Sequence, residues 1–289
     1  MISYALAIAL AISGQHVTNL VWVDKIKAKV VANREAAGSK VTKPPPTVGK
    51  PASRNSAKKS KVTYSSATQE GGNILVVDLG GPVIEVRDLA IEEIQRGQIQ
   101  TAIRRLETAW FGYANRHGQF ILAPVLTDAY LMVGRNVEAL NTMAPYANQS
   151  TGYLERLAYV AALNGIAEPG QKEYCIHSLT LGDSSMSAEA ATWLPTGNRP
   201  QDILLPAAVA LGKRLTGYAQ KFYLQRAVAL DPTHPYAHQY LGDIARNEQR
   251  YREAVQHYEV AMRRSGPIGR EYIEHWLKRV RYRRDATGG

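Results

Sequence analysis

A single cysteine, Cys175, stands among 289 residues, so no internal disulfide framework holds this chain together. Patterns that announce chemistry are missing too. No paired-carboxylate, Ser–His–Asp or Walker pattern occurs. The seven histidines do not show a zinc spacing: His234 and His238 are separated by Pro235, and His257 and His275 fall on different helical stretches. Cys175 and His177 are two apart, which on a helix points them to different sides, so Cys175 reads as a buried thiol. Neither catalysis nor a metal or cofactor is expected. Charge is absent where a secretory leader would need it: Met1 to Val23 has no charged side chain, and no Lys or Arg precedes the apolar run.

That start supports two readings. Ile2 to Ile12 resembles the apolar core of a secretory signal, with Ala9-Leu10-Ala11 as a small-residue cleavage pattern. Residues 2–23 are also long enough for a membrane anchor, and Lys25, Lys27 and Lys29 directly after them would hold the following chain in the cytoplasm. Both leave the protein exported or membrane-tethered through residues 1–23. Residues 24–72 are poor in large apolar side chains and carry Pro44-Pro45-Pro46 and Lys58-Lys59-Ser60-Lys61, the composition of a disordered basic linker. Residues 1–72 hold eleven Lys/Arg against three Asp/Glu, a net of +8 of the chain's +10. Asn73 to Val86 reads as two short strands around Gly80-Gly81-Pro82, a short extended segment over 73–86.

Beyond it the apolar period changes to that of a helix. From Tyr236 to Asn247 the stripe is Ala237, Tyr240-Leu241, Ile244-Ala245; from Arg252 to Arg264 it is Ala254-Val255, Tyr258, Ala261-Met262. Gly242 and Ala254 are small where two helices must approach, and Tyr251 and Tyr258 fill the space around that contact. Asp231-Pro232 and Gly266-Pro267 are the stops on either side. The period is 34 residues, from Ala227 to Ala261 and from Pro232 to Gly266.

Leu241-Gly242, Ala245, Tyr251, Ala254, Tyr258 and Ala261 stand at the spacing of the tetratricopeptide repeat, and the chain is identified as resembling that family over residues 87–268. Residues 201–234 are the unit in phase before it, with Ala208, Leu211, Leu224 and Ala227, though Gln220 stands where a small residue belongs. Gly97, Ala102 and Ala109 mark another copy, with Gly97 at the turn between its helices; Gly134, Ala139 and Met143 mark a weaker one. Over residues 154–200 the signature dissolves into a bare helix pair, Leu154–Leu163 and Gln171–Leu179. A last helix from Arg270, within a capping and basic tail of 269–289, covers the final apolar face with Ile273, Leu277 and Val280.

The resemblance implies an all-α, right-handed superhelix of antiparallel helix pairs whose first helices line a groove for a protein or peptide partner. Its groove positions fall on Tyr236, Gln239, Asp243, Arg246 and Asn247, on Lys213 and Asp202 in the preceding repeat, and on Asp128. A peptide carboxylate is the ligand that Arg246, Asn247 and Lys213 suit. The expected function is a non-catalytic interaction scaffold. The alternative is a nucleic-acid or polyanion binder that uses the basic linker and the cations after Ala261, among them Lys278, Arg279, Arg281, Arg283 and Arg284.

Overall fold

The computed structural model describes residues 21–36, 81–112, 116–146, 152–180, 195 and 197–286. Among the described residues every regular element is a helix, so the fold is all-α. The helices are α1 (residues 21–36), α2 (Gly81–Gln95), α3 (Ile99–Gly112), α4 (Arg116–Met132), α5 (Asn136–Met143), α6 (Tyr153–Leu163), α7 (Gln171–Thr180), α8 (Pro200–Arg214), α9 (Gly217–Leu230), α10 (Pro235–Asn247), α11 (Tyr251–Arg264) and α12 (Pro267–Ala286).

Four helix ends close in the same way. Gly97, Gly134 and Gly165 each take positive φ (+77°, +76° and +75°). At each, the glycine N–H bonds back to the carbonyl three residues earlier, and the next N–H reaches the carbonyl five residues before it: Gln98 to Glu93, Arg135 to Tyr130, Ile166 to Ala161. This double closure satisfies carbonyls that the helix leaves free, and it needs a left-handed residue in the middle. After α10 the same two bonds form, from Gln249 to Arg246 and from Arg250 to Ala245, but Gln249 holds the left-handed position at φ 60°. A side chain there is strained. Gln249→Gly is therefore expected to stabilise the chain by about 0.5–1 kcal/mol, read as a rise in thermal melting midpoint; an unchanged or lower midpoint would show that the turn is not limiting.

Neighbouring helices pack in order: α2 on α3, α4 on α5, α8 on α9, α10 on α11 and α11 on α12. Alternate helices also meet, α2 with α4, α6 with α8, and α8 with α10. The closest approach in the clearest hairpin is at Gly242, where a Cβ would lie 2.7 Å from Tyr258 Cε1. Ala245, Ala254 and Ala261 are buried around it. One hairpin earlier the close approach falls on Gly212, whose Cβ would lie 2.4 Å from Leu224 Cδ2. Gln220, out of place for a small-residue position, donates its side-chain amide to the Gly212 carbonyl at 3.0 Å.

From Ile203 to Gly212 only Leu204 is not fully buried, so α8 is apolar on nearly all sides and sits at the centre, against α6, α7, α9 and α10. At the far end Ala245, Val255 and Tyr258 form a second core with Ile273, Leu277 and Val280 of α12, which begins at Pro267.

Two stretches differ from expectation. Residues 81–86 are not extended: α2 starts at Gly81 with Pro82 in its first turn, where proline suits a helix. Val83, Ala90 and Ile94 are its buried stripe, a helical period that a short apolar run disguises as a strand. Residues 73–80 lie outside the described residues. Residues 24–36, read as linker, belong to α1, which packs Trp22, Val23, Ile26 and Val30 into the main core. Trp22 meets the Tyr174 ring at 6.1 Å, Lys25 and Lys29 pair with Glu168, and Arg34 binds Asn141. The helix thus lies over the α5 and α6–α7 region, where the repeat signature fades. No helix among the described residues is long and apolar enough to cross a membrane; residues 21–23, read as the end of the anchor, instead belong to α1, with Trp22 and Val23 in the core, and residues 1–20, the rest of the signal and anchor readings, lie outside the described residues.

Candidate functional site

The groove positions that the resemblance assigns to α10 do not form one open face. Tyr236 is 4% exposed and belongs to the core. Asp243 accepts from the Tyr258 hydroxyl at 2.7 Å and the Tyr272 hydroxyl at 3.1 Å, and pairs with Arg246 at 3.1 Å. Burial pushes its carboxyl above the ordinary carboxylate value, against the pull of those donors. The Arg246 guanidinium lies 3.7 Å from the centre of the Trp276 ring. Helix α12 therefore occupies the place that the resemblance assigns to a peptide on α10. Gln239 is half-buried and Asn247 exposed. Lys213 donates to the Leu179 carbonyl and so ties α8 to α7. Asp202 accepts from the Arg199 backbone N–H at 2.9 Å at the start of α8; the Arg199 guanidinium holds its carboxyl below the usual range.

Asp128 is the most enclosed of these residues, with no exposed surface. Its carboxylate takes a two-pronged bond from Arg156, 3.0 Å on each oxygen, and the Tyr223 hydroxyl donates to it at 2.6 Å. Burial opposes the Arg156 charge, but Asp128 outweighs it and holds the guanidinium above its ordinary value. The adjacent residue, Glu155, anchors a second buried cluster, taking bonds from Ser178 and Arg214. Cys175 beside it is fully buried, and burial together with the Glu155 charge pushes its thiol well up, away from nucleophilic use. These ties cross hairpins: Tyr223 lies on α9 and Asp128 on α4, 95 positions apart. They fix the relative placement of elements that packing between neighbouring helices alone would leave free.

That closure shapes a cavity of about 620 Å³ between the ends of α2 and α4 and the faces of α9 and α10. Ile94, Met132, Phe222 and Ile244 supply its apolar lining; Gln95, Lys221, Gln225, Asn247 and Glu248 supply amides and charges. Of the expected groove residues only Asn247 reaches it. Periodicity could not have located it, because its walls come from α2 and α9, which are remote in the chain. The lining suits an apolar side chain or short segment fixed by a few polar contacts.

Histidine placement was also illegible in one dimension. His234 caps α10, its Nδ1 accepting from the Ala237 N–H at 3.3 Å, and burial lowers its imidazole to about 4, which keeps that acceptor neutral. His238 and His257, on separate helices, come together with Nδ1 atoms 2.9 Å apart. Among the described residues no group of three or more His, Cys, Asp or Glu is placed to hold a metal ion. No protein-family model, curated protein or solved structure matches this chain.

Proposed function

We propose that the chain is a non-catalytic protein-interaction scaffold, a tetratricopeptide-like superhelix that the apolar segment before α1 exports or tethers to a membrane. The observation that carries this reading is the cavity between α2, α4, α9 and α10, with its apolar floor and its rim of Lys221, Asn247 and Glu248. The repeat spacing supports it, and so does the shared closure at Gly97, Gly134, Gly165 and Gln249. The partner is a protein segment that presents an apolar side chain flanked by polar groups. Because α12 covers Asp243 and Arg246, the site lies one face away from the groove that the resemblance marks.

Immobilised wild-type chain, washed at 0.3 M salt, is expected to retain partner proteins that a Lys221→Glu/Asn247→Ala variant of equal melting temperature releases. Equal capture by both would end this site assignment. A second reading has its own observation: Lys278, Arg279, Arg281 and Arg283 are all exposed on α12. Binding that instead collapses steeply as salt rises, and follows those four cations, identifies a polyanion binder.

A further inference from the structure

We infer that the surface beneath α1 is a helix-binding groove, which takes a basic amphipathic helix of a partner protein in exchange for α1. The inference goes beyond the cavity between α2, α4, α9 and α10 and does not depend on it. Helices α8 to α12 follow one another after two to four residues, so a tight turn holds each to the next. No such turn holds α1, which stands 44 residues (37–80) before α2. Its own side chains seat it, as they would a bound peptide helix. One stripe faces the body: Trp22, Val23, Ile26 and Val30 are buried, whereas Val21, Lys25, Lys29 and Val31 are exposed.

The edges of the seat read charge. Glu168, in the loop before α7, has a side chain only 8% exposed, and both cations paired with it among the described residues, Lys25 and Lys29, belong to α1. Arg34 marks the other end, donating to the side-chain oxygen and backbone carbonyl of Asn141 on α5 at 3.1 Å and 3.2 Å. An apolar floor between a carboxylate and a carbonyl selects a helix with the pattern of α1. That pattern is an aromatic residue, aliphatic residues one, four and eight places on, and Lys or Arg three and seven places on. The hold on α1 is also incomplete. Trp22 is 1% exposed, and its indole N–H meets no acceptor among the described residues. A buried donor left unpaired weakens the seat, a cost that a partner helix with phenylalanine at that place would not carry.

The test uses the full chain carrying Trp22→Asp and Ile26→Asp, which cannot seat its own α1, and a fluorescein-labelled peptide of residues 21–36 read by anisotropy. The variant is expected to bind this peptide in the micromolar range. The wild type, whose α1 fills the groove, should bind it about tenfold more weakly or worse. A peptide with Lys25→Glu and Lys29→Glu should bind the variant about tenfold more weakly than the unaltered peptide, and Glu168→Lys in the variant should reverse that order. No binding by a folded variant, or no response to the exchange of charges, overturns the inference. Should the variant fail to fold, amide hydrogen exchange in the wild type decides. Residues 26–30 of α1 should exchange faster than residues 209–211 of α8; equal rates would mean that α1 leaves only when the whole molecule unfolds, and the inference fails. A wild-type dimer that the peptide dissolves would give the groove to the α1 of a second copy and overturn the assignment to a partner protein.

Discussion

Arg156→Met is expected to destabilise the chain by about 3–5 kcal/mol, because it strands the Asp128 carboxylate without its counter-ion. Asp128 has no exposed surface, so water cannot take the place of the guanidinium. Tyr223 and Tyr218 still donate, at 2.6 Å and 3.4 Å, but two neutral hydroxyls do not neutralise a buried charge. At about 2–4 °C per kcal/mol for a domain of this size, the melting temperature should fall by roughly 6–20 °C. The double variant Asp128→Asn/Arg156→Met removes both charges and keeps an acceptor for Tyr223, so it should recover much of the loss. The pair is judged by thermal or urea unfolding followed by circular dichroism. A single variant that melts within a degree or two of wild type would mean that the Asp128 carboxylate already finds another partner.

The second large effect lies in the hairpin of α10 and α11. Tyr258→Ala should cost about 3–5 kcal/mol, since a fully buried ring is lost and Asp243 loses its 2.7 Å donor. Gly242→Ala alone should cost about 1–3 kcal/mol, because the new methyl would sit 2.7 Å and 2.8 Å from two carbons of that ring. Together they should reverse sign. Once the ring is gone, alanine at 242 meets empty space and gains its better helix propensity, so Gly242→Ala becomes stabilising by roughly 0.5–1 kcal/mol in the Tyr258→Ala background. Additive losses across this cycle would show that glycine is needed at 242 for some reason other than room for the ring.

The hairpin was legible because its signals are local: small residues and aromatics at fixed steps, with prolines as stops. Gly242 and Tyr258 meet as their spacing predicts, and Ala254 is buried in the same hairpin. The turn at Gly97 was equally readable, since positive φ leaves a compositional mark. The turn at Gln249 was not, because glutamine gives no sign of a left-handed backbone. What escaped the sequence is mostly contact between remote segments. Nothing in the basic stretch around Lys25 and Lys29 signals that they pair with Glu168, or that Trp22 lies beneath them in the core. Asp128 and Arg246 look like surface charges in a helical period, yet Arg156 encloses the first and Trp276 the second. Groove positions taken from a resemblance assume that the next helix leaves them open. Here α12 does not.

The docking of α1 also governs the order in which the molecule can be completed. Lys29 and its partner Glu168 are 139 positions apart, so the first of these helices to leave the ribosome finds its seat only after most of the chain exists. At about 5–20 residues per second the wait is roughly 7–28 s. During that interval Trp22, Val23 and Ile26 have no native surface to cover them, whereas α10 and α11 can close as soon as both are made. Of the described helices, α1 should therefore spend the longest phase without its native cover, with Lys25 and Lys29 on its exposed side.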